Sequence, residues 1–447
     1  MPQQTAESGL GNFISNLSVE GLVNFNDDGR PRPWLAEGWT MAPDGLSMTI
    51  QLRHQATFHD GTPVTAAFVA QALQRELPRV MGDAAEDLRE ITALDNDRVG
   101  ISLRHPSPFV LEALETSIWK PGRQRIGTGG YRALDGSTPA RLQANAAYYL
   151  GRPAIEQVSV TPYPSVRTAW AELLRGNLDM LYEVNPDALD SLEGSSNVAV
   201  FSFVRHYQYM IIFGSEAPGL QSAAIRRELS AAIDREAIVR TALNGHGVPS
   251  NGPVPPGHWA LDKAAPKLVF NPVLAKRLAA RHLKFTCLVP ADSVYERVAL
   301  AVKQQLAAAS VDMEVREATQ DEALEAMKTN HFEAILGDFV SGPTIFRSYR
   351  RWYSKGISIP KPIGSPLVDG ALDRIRHAAS DDEYRSGVTA FQQAMVDDPP
   401  ALFLAWIERA RAVSRRFDVP APESGRDVLA TLRLWRAVGP PQAVSRN

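Results

Sequence analysis

The segment 337–353 carries the residue types best suited to hold a charged solute. Asp338 directly follows an apolar run, and arginines and aromatic residues come soon after it. Guanidinium groups match carboxylates in two-pronged hydrogen bonds, and aromatic faces attract cations. The predicted contacts of a solute-binding site are therefore Asp338, Arg347, Arg350 and Trp352. The alternative is a solvated basic loop in which Asp338 caps the following turn.

Two further candidates, His206 and Tyr207, precede an apolar strand that runs towards the middle of the chain. Imidazole and phenol groups can both exchange hydrogen bonds with a solute. Both residues are predicted to contact the solute. Packing of Tyr207 against the next helix is the alternative.

The sequence lacks the motifs of the common catalytic and metal centres. It contains no G-x-S-x-G elbow, no H-E-x-x-H helix and no kinase motif set. Its nine histidines include no adjacent pair and no pair at the helical i, i+4 spacing, and Cys287 is the single cysteine. We therefore predict no catalytic residue, no metal site and no cofactor, and we do not expect an enzyme.

Two short motifs that suggest chemistry are better explained as turns. His59 and Asp60 could form an acid–base pair, but adjacent turn residues usually diverge, and Asp60-Gly61 is ordinary turn chemistry. Residues 127–131 read Gly-Thr-Gly-Gly-Tyr and lack the glycine spacing and the Lys-Ser/Thr pair of a phosphate-binding loop.

The elements that must position the candidate site alternate regularly after residue 282. Apolar runs at 283–289, 311–315 and 332–339 have the length of strands, and helical periodicity separates them. This alternation predicts a parallel sheet with right-handed crossovers. Ligands of such sheets bind outside the carboxyl ends of the strands, where Asp338 is predicted to emerge.

Local signals predict further elements in the first half of the chain. The Asp44-Gly45 turn and the alternating apolar residues of 91–103 predict two β-hairpins. Thr65 is predicted to cap a helix over 66–77. A strand, a helix and a strand within 155–180 predict a second parallel unit.

A stretch rich in glycine and proline, residues 245–257, divides the chain. It is predicted to be an ordered, irregular crossover between two α/β lobes, whose cleft is a favoured ligand site. A second crossing near Ile407 would give the cleft a hinge of two strands. The predicted domains are a first lobe over 1–257 with a subdomain at about 31–127, a second lobe over 258–407, and a return to the first lobe over 408–447.

Composition excludes several classes of protein. A net charge of −3 with both signs interspersed provides no basic surface for nucleic acid. No apolar run reaches the length of about eighteen residues that spans a membrane. The first residues lack the basic and apolar regions of a signal peptide.

Four stretches share their residue order with one known family. They are 225–239 followed by 252–257, the run Phe58-His59-Asp60-Gly61-Thr62-Pro63-Val64-Thr65-Ala66, 127–131 and 147–153. They resemble the family 5 extracellular solute-binding proteins, which are the peptide- and nickel-type receptors of bacterial ABC importers. The resemblance covers nearly the whole chain. It implies a two-lobed periplasmic-binding-protein-like α/β fold with an extra subdomain on the first lobe and a ligand cleft at the hinge.

The resemblance also implies a function and partners. A monomeric receptor would capture a small solute, with a peptide-like one favoured, by hinge closure and deliver it to the ABC permease subunits. Peptide-binding members place an aspartate at the position of Asp338 to pair with the α-amino group of the ligand. The aromatic residue they carry three positions earlier is Ile335 here, which departs from the peptide pattern.

The resemblance implies a periplasmic or cell-surface location. Family members normally begin with a signal peptide and a β-strand, so this chain is expected to be processed, truncated or recut. The missing leader also suggests an alternative, a cytoplasmic ligand-sensing protein or the sensing domain of a regulator. A third alternative is an enzyme that uses Asp338 and a nearby histidine.

Overall fold

A computed structural model describes residues 2–121, 125–134, 140–184, 189, 192, 194–214, 217–420 and 427–438. The described strands are short near the beginning of the chain, and the two longest come later. In chain order the strands are β1 Val23–Phe25, β2 Pro31–Pro33, β3 Ala36–Met41, β4 Ser47–Leu52, β5 Leu88–Ala93, β6 Arg98–Leu103, β7 Tyr131–Ala133, β8 Ala140–Ala144, β9 Gln157–Val160, β10 Met180–Val184, β11 Val198–Phe213, β12 Val248–Pro249, β13 Lys284–Pro290, β14 Asp312–Ala318, β15 Ala334–Val340, β16 Ala401–Ser414, β17 Phe417–Asp418 and β18 Arg436–Ala437.

Helices flank these strands throughout the chain. None that the structure describes is both long enough and apolar enough to cross a membrane. The α-helices are α1 Pro2–Ser18, α2 Ala66–Met81, α3 Pro108–Ala113, α4 Val166–Leu174, α5 Ala223–Ala231, α6 Arg235–Ala242, α7 Pro272–Ala275, α8 Ser293–Ala308, α9 Gln320–Thr329, α10 Ile345–Trp352, α11 Pro366–Arg376 and α12 Asp381–Asp397, and 3₁₀ helices lie at Gly82–Asp87, Pro218–Leu220, Lys276–Arg281 and Val428–Leu434.

Strands β3–β6 form a four-stranded antiparallel sheet that packs against α2 and α3, and we call this unit the subdomain. Both predicted hairpins are present in it. At the first turn Gly45 has a φ of 70°, which glycine adopts without strain, and Asp44 accepts a hydrogen bond from the Leu46 amide. The Thr65 hydroxyl accepts from the Phe68 amide and caps α2 as predicted.

Seven of the described strands form one mixed sheet in the order β10-β16-β11-β15-β13-β14, with β12 paired to β16. Strand β13 pairs in parallel with β14 and β15, which confirms the parallel sheet predicted after residue 282. The side chain of Cys287 points into the core from the middle of β13 and is fully buried.

The two longest strands, β11 and β16, pair antiparallel along most of their length and cross between two cores. Ile211 and Leu402 pack in one core with β13, whereas Val198 and Ala412 pack in another with β10. Their pairing register shifts between Val204 and Gln208. We call the part of the chain between Gln208 and Ile407 the second lobe and the remainder, apart from the subdomain, the first lobe.

The first crossing therefore lies within β11 and not in the predicted connector 245–257. Helices α5 and α6 pack into the core of the second lobe through Leu229 and Ile238, together with Leu336 of β15. The connector instead lies along the hinge, where Val248 pairs with β16. Glycine and proline mark an irregular edge segment here, whereas the apolar faces of α5 and α6 determine the lobe to which they belong.

The parallel unit predicted within 155–180 is wrong. Strand β9 pairs antiparallel with β8, and β10 pairs antiparallel with β16 in a different sheet. Helix α4 therefore connects two sheets. A strand–helix–strand pattern implies parallel pairing only when both strands lack better partners elsewhere, and here each has one.

The subdomain shares a continuous core with α10, α11 and α12 of the second lobe. Phe109 of α3 lies with its ring centroid 5.5 Å from that of Phe346 and 5.1 Å from that of Tyr349. Aromatic pairs at these separations contribute beyond their buried area. This packing fixes α10 against the subdomain.

Candidate functional site

A cavity of about 730 Å³ lies where the first lobe, the subdomain and α10 meet. This volume is typical of small-molecule sites, which enclose about 300–1,000 Å³. Residues that follow α1, residues of the subdomain and the 3₁₀ helix near the C-terminus line it. Its charged and aromatic lining residues include Glu20, Trp34, Glu115, Trp119, Arg125, Arg347 and Arg350.

Helix α10 presents Arg347 and Arg350 to this cavity. They are three residues apart and so lie on one face of the helix. The Nη2 and Nε atoms of Arg347 donate to Oε1 of Glu115 at 2.7 and 3.0 Å. Burial disfavours the charge of Arg347, but the Glu115 carboxylate outweighs it and raises the pKa of Arg347. An ion pair therefore joins the second lobe to the subdomain beside the cavity.

The buried positive charge of Arg350 is less well compensated than that of Arg347. Its Nε is buried and finds no hydrogen-bond partner within the described part of the chain. Burial, followed by the positive charge of Arg347, lowers the pKa of Arg350. An anion beside Arg350 in the cavity would supply an opposite charge and so favour the protonated guanidinium group.

Trp119 adds an aromatic surface to the same cavity. The guanidinium carbon of Arg125 lies 4.8 Å from its ring centroid, and that of Arg75 lies 5.7 Å away. Both distances are typical of cation–π contacts. The cavity thus combines guanidinium groups with a flat apolar face.

Glu20 organises the opposite side of the cavity through four hydrogen bonds. It accepts from Trp34 Nε1 at 3.0 Å, Thr128 Oγ1 at 2.8 Å, Tyr148 OH at 2.6 Å and Tyr149 OH at 3.1 Å. Burial raises the pKa of Glu20 while these donors oppose the shift. Glu20 is fully engaged with the protein, so its part in the site is to hold neighbouring side chains in place.

Trp352 does not line the cavity and is only 1% exposed. Its ring packs edge-to-face on Phe403, with centroids 5.5 Å apart. Successive helical residues are separated by about 100°, which directs Trp352 away from the face that carries Arg347 and Arg350. The predicted solute contact of Trp352 stays a prediction, and in this structure the side chain belongs to the core.

Asp338 lies within β15, opposite Tyr209 on β11. It accepts a hydrogen bond from the Tyr295 hydroxyl and lies near Arg409. It is not among the described residues that line the cavity. The structure thus surrounds Asp338 with a tyrosine and an arginine at the hinge, near but apart from the site that Arg347 and Arg350 share.

His206 and Tyr207 also lie at the hinge. The carbonyl oxygen of His206 accepts from the Ser341 amide at 2.8 Å, and Tyr207 pairs with Val340 of β15. Tyr207 packs against the core of the second lobe. Neither residue is among the described lining of the cavity.

Sequence reasoning missed Glu20, Glu115 and Trp119. One signal was available for Glu20, because it is the one charged residue in the mostly apolar stretch 17–23. A charge in such a stretch predicts buried hydrogen-bond donors around it. The indole of Trp34 donates to Glu20, and Trp34 also lines the cavity.

Comparison with known proteins places the chain in a family. The family model of the bacterial extracellular solute-binding proteins, family 5 (middle region), matches residues 30–357. The chain is also 25% identical over 433 residues to the probable D,D-dipeptide-binding periplasmic protein DdpA of Escherichia coli K12. That alignment covers 88% of this chain and 83% of DdpA.

Solved structures share the fold. NikZ from Campylobacter jejuni, in complex with Ni(L-His), superimposes with a TM-score of 0.82 at 21% identity and 94% coverage of both chains. The oligopeptide-binding protein AppA from Bacillus subtilis, in complex with a nonapeptide, gives 0.80 at 20% identity, with 96% of this chain and 94% of AppA covered. The two-lobed α/β fold predicted from the sequence is confirmed. Since the family model matches most of the chain, the protein belongs to the family 5 bacterial extracellular solute-binding proteins.

Proposed function

We propose that this solute-binding protein of an ABC importer captures a small solute that bears a carboxylate, in the cavity between its lobes. The proposal rests on Arg350, which lines a cavity of about 730 Å³. Its buried Nε atom has no hydrogen-bond acceptor among the described residues. A carboxylate accepts two parallel hydrogen bonds from a guanidinium group. Arg347 pairs with Glu115, so Arg350 is the arginine of α10 that remains to bind a carboxylate, and Arg125 adds a further positive charge to the lining.

The way the cavity is assembled supports binding by closure. The first lobe and the subdomain supply most of its lining, whereas the second lobe supplies Arg347 and Arg350. A solute held by Arg350 and by first-lobe residues contacts both lobes only when they are closed. Its binding energy then favours the closed state, because only contacts that differ between two states shift their equilibrium.

Trp119 and Trp34 narrow the class of solute. Their rings give the cavity an apolar part beside the arginines. A peptide-like molecule carries a terminal carboxylate together with apolar groups and fits this combination. We assign the chain the role of a monomeric, non-enzymatic receptor outside the cytoplasm that delivers such a solute to permease subunits. The family description and the name of DdpA support that location over the cytoplasmic regulator.

The role predicted for Asp338 stays a prediction. Its neighbours at the hinge include Tyr209, Tyr295 and Arg409. Replacement Asp338→Asn keeps the shape and removes the charge. A loss of about 2–5 kcal/mol in affinity for an amine-bearing solute would show that it pairs with the ligand, whereas unchanged affinity would leave it a structural residue.

A two-stage experiment tests the proposal. Thermal-shift screening of short peptides, carboxylic acids and their amides first identifies a solute, because a ligand of the folded state raises its stability. Calorimetry then compares Arg350→Gln with Arg240→Gln, an exposed arginine on α6. We expect Arg350→Gln to weaken binding by about 2–5 kcal/mol and Arg240→Gln to leave it unchanged. Equal affinity of the two variants, or equal binding of an acid and its amide, would contradict the proposal.

A further inference from the structure

Three side chains with metal-binding atoms meet on the far side of the subdomain. Asp87 ends the 3₁₀ helix Gly82–Asp87, His105 follows β6, and His377 ends α11. One potential ligand atom from each lies within 4.8 Å of the others. None of the three lines the solute cavity. The two histidines are far apart in the sequence, so no local spacing motif predicts the cluster.

We propose that Asp87, His105 and His377 form a binding site for a divalent transition-metal ion of the Zn²⁺ type. Imidazole nitrogens and a carboxylate oxygen are a common ligand set for such ions. Three protein ligands leave a fourth position for water in a tetrahedral site. The site joins the subdomain, which supplies Asp87 and His105, to the second lobe, which supplies His377.

The separations between the candidate ligand atoms fit this coordination. Asp87 Oδ1 lies 3.3 Å from Nε2 of His377 and 3.6 Å from Nδ1 of His105. Metal–ligand bonds of about 2.0–2.2 Å place neighbouring ligands of a tetrahedral ion roughly 3.3–3.6 Å apart. Direct ion pairs between imidazolium and carboxylate groups are shorter, about 2.7–2.9 Å. Both separations match those of neighbouring ligands around one ion, and the 3.3 Å contact between His377 and Asp87 is also a hydrogen bond when no ion is bound.

Arg376 holds the carboxylate in position. Its Nε donates to Oδ2 of Asp87 at 2.7 Å, and its Nη2 donates to Oδ1 at 2.9 Å. The Asp87 side chain is 1% exposed, so its orientation is fixed by this fork and by the surrounding core. An oxygen that already accepts one hydrogen bond retains a second lone pair for a metal. Such outer partners orient metal ligands.

The site is open on the side of the histidines. The side chain of His105 is 65% exposed and that of His377 is 43% exposed. An ion can therefore enter from solvent without unfolding the protein. For the same reason, alanine at either histidine removes a ligand without leaving a cavity in the core.

Zinc titration of untagged, chelator-treated protein tests the site. We expect one equivalent of Zn²⁺ to bind in calorimetry and to raise the melting temperature, and Co²⁺ to give the visible absorption of a four-coordinate ion. His105→Ala and His377→Ala should each weaken Zn²⁺ binding by at least about tenfold. His54→Ala is the matched control, since His54 is 67% exposed and lies 2.9 Å from Asp97 without a third ligand.

Arg350→Gln separates this site from the solute cavity, because it should leave Zn²⁺ affinity unchanged. No binding of Zn²⁺ by the unaltered protein would overturn the proposal. Equal affinity in the unaltered protein and both histidine variants would also overturn it. Loss of affinity in Arg350→Gln alone would overturn it as well, since the ion would then belong to the solute cavity.

Discussion

The hydroxyl of Tyr384 on α12 donates a 2.7 Å hydrogen bond to Oε1 of Glu112 on α3, deep between the second lobe and the subdomain. The amide of Phe346 donates to the other carboxylate oxygen at 2.8 Å. Despite both donors, burial raises the pKa of Glu112 to about 7. A titratable group is thus built into the contact that holds α10 and α12 against the subdomain.

This contact predicts a pH-dependent stability. The unfolded chain releases the Glu112 proton near pH 4.5, whereas the folded protein keeps it until about pH 7. The folded state therefore binds more protons in this window, and its stability falls as pH rises from 4.5 to 7. The contribution of this one group is on the order of 3 kcal/mol across the window.

Denaturant unfolding at pH 5 and pH 7 measures this contribution. We expect Glu112→Gln, which retains polar atoms for both partners, to reduce the loss of stability between the two pH values. Glu90→Gln, at an exposed position, should retain the full loss. Identical pH profiles for Glu112→Gln and the unaltered protein would show that Glu112 does not titrate in this range.

Glu20 should tolerate an amide but not truncation. Glutamine can accept from Trp34 through its oxygen, while the hydroxyls of Thr128 and Tyr149 can turn to accept from its NH₂ group. Alanine leaves all four donors without their acceptor. Each buried donor that lacks an acceptor lowers the free energy of unfolding by about 1–3 kcal/mol. We therefore expect Glu20→Ala to lower the free energy of unfolding by at least about 3 kcal/mol and Glu20→Gln by much less.

Chemical denaturation measures the free energy of unfolding of both variants. The control is Glu37→Ala at an exposed position, which should lie within about 0.5 kcal/mol of the unaltered protein. If Glu20→Ala proved as stable as Glu37→Ala, the four hydrogen bonds would not be what holds this side of the cavity together.

Arg226 should contribute strongly to the stability of the second lobe. It is 2% exposed, donates to the carbonyl oxygens of Leu220, Gln221 and Pro399, and pairs with Asp398. Methionine would fill the space and leave these acceptors unpaired. We expect Arg226→Met to cost about 3–5 kcal/mol, the usual effect of breaking a buried ion pair.

The neighbouring Arg227 is exposed and provides the comparison. Arg227→Met should change the free energy of unfolding by no more than about 0.5 kcal/mol. Equal unfolding midpoints for the two methionine variants would disprove the structural role of Arg226.

The hinge predicts a change of shape on binding. Among the described strands, β11 and β16 cross between the lobe cores, and the register of their pairing shifts next to Gln208. Two adjacent strands can bend together while both cores stay intact. Small-angle scattering should therefore show a smaller radius of gyration when the identified solute is added. A constant radius at saturating solute would mean that the lobes do not close on it.

Local signals in the sequence predicted local structure well. Asp44-Gly45, Thr65 and the alternation after residue 282 act over a few neighbouring residues, and the structure confirms each of them. The position of the first crossing was missed because the apolar faces of α5 and α6 fit either lobe until their partners are known. Sequence reasoning can recognise a strand or helix, but the choice of partner depends on packing between distant segments.

The same limit applies to the sites. Arg347 and Arg350 were named as candidates because arginine and aromatic residues are concentrated in the segment 337–353, and both line the cavity. Trp352 belongs to the same cluster, but its direction depends on helical phase and not on composition. Glu115 is distant from α10 in the sequence, so its pairing with Arg347 could be seen only after folding.

Cys287 gives the molecule an internal reporter. Its thiol is fully buried in β13, and burial raises its pKa to about 12, so it reacts only when the sheet of the second lobe opens. Since the sequence contains no other cysteine, every labelled molecule records an opening at this position. The rate of thiol labelling thus reports how often the second lobe opens, independently of any signal from the first lobe or the subdomain.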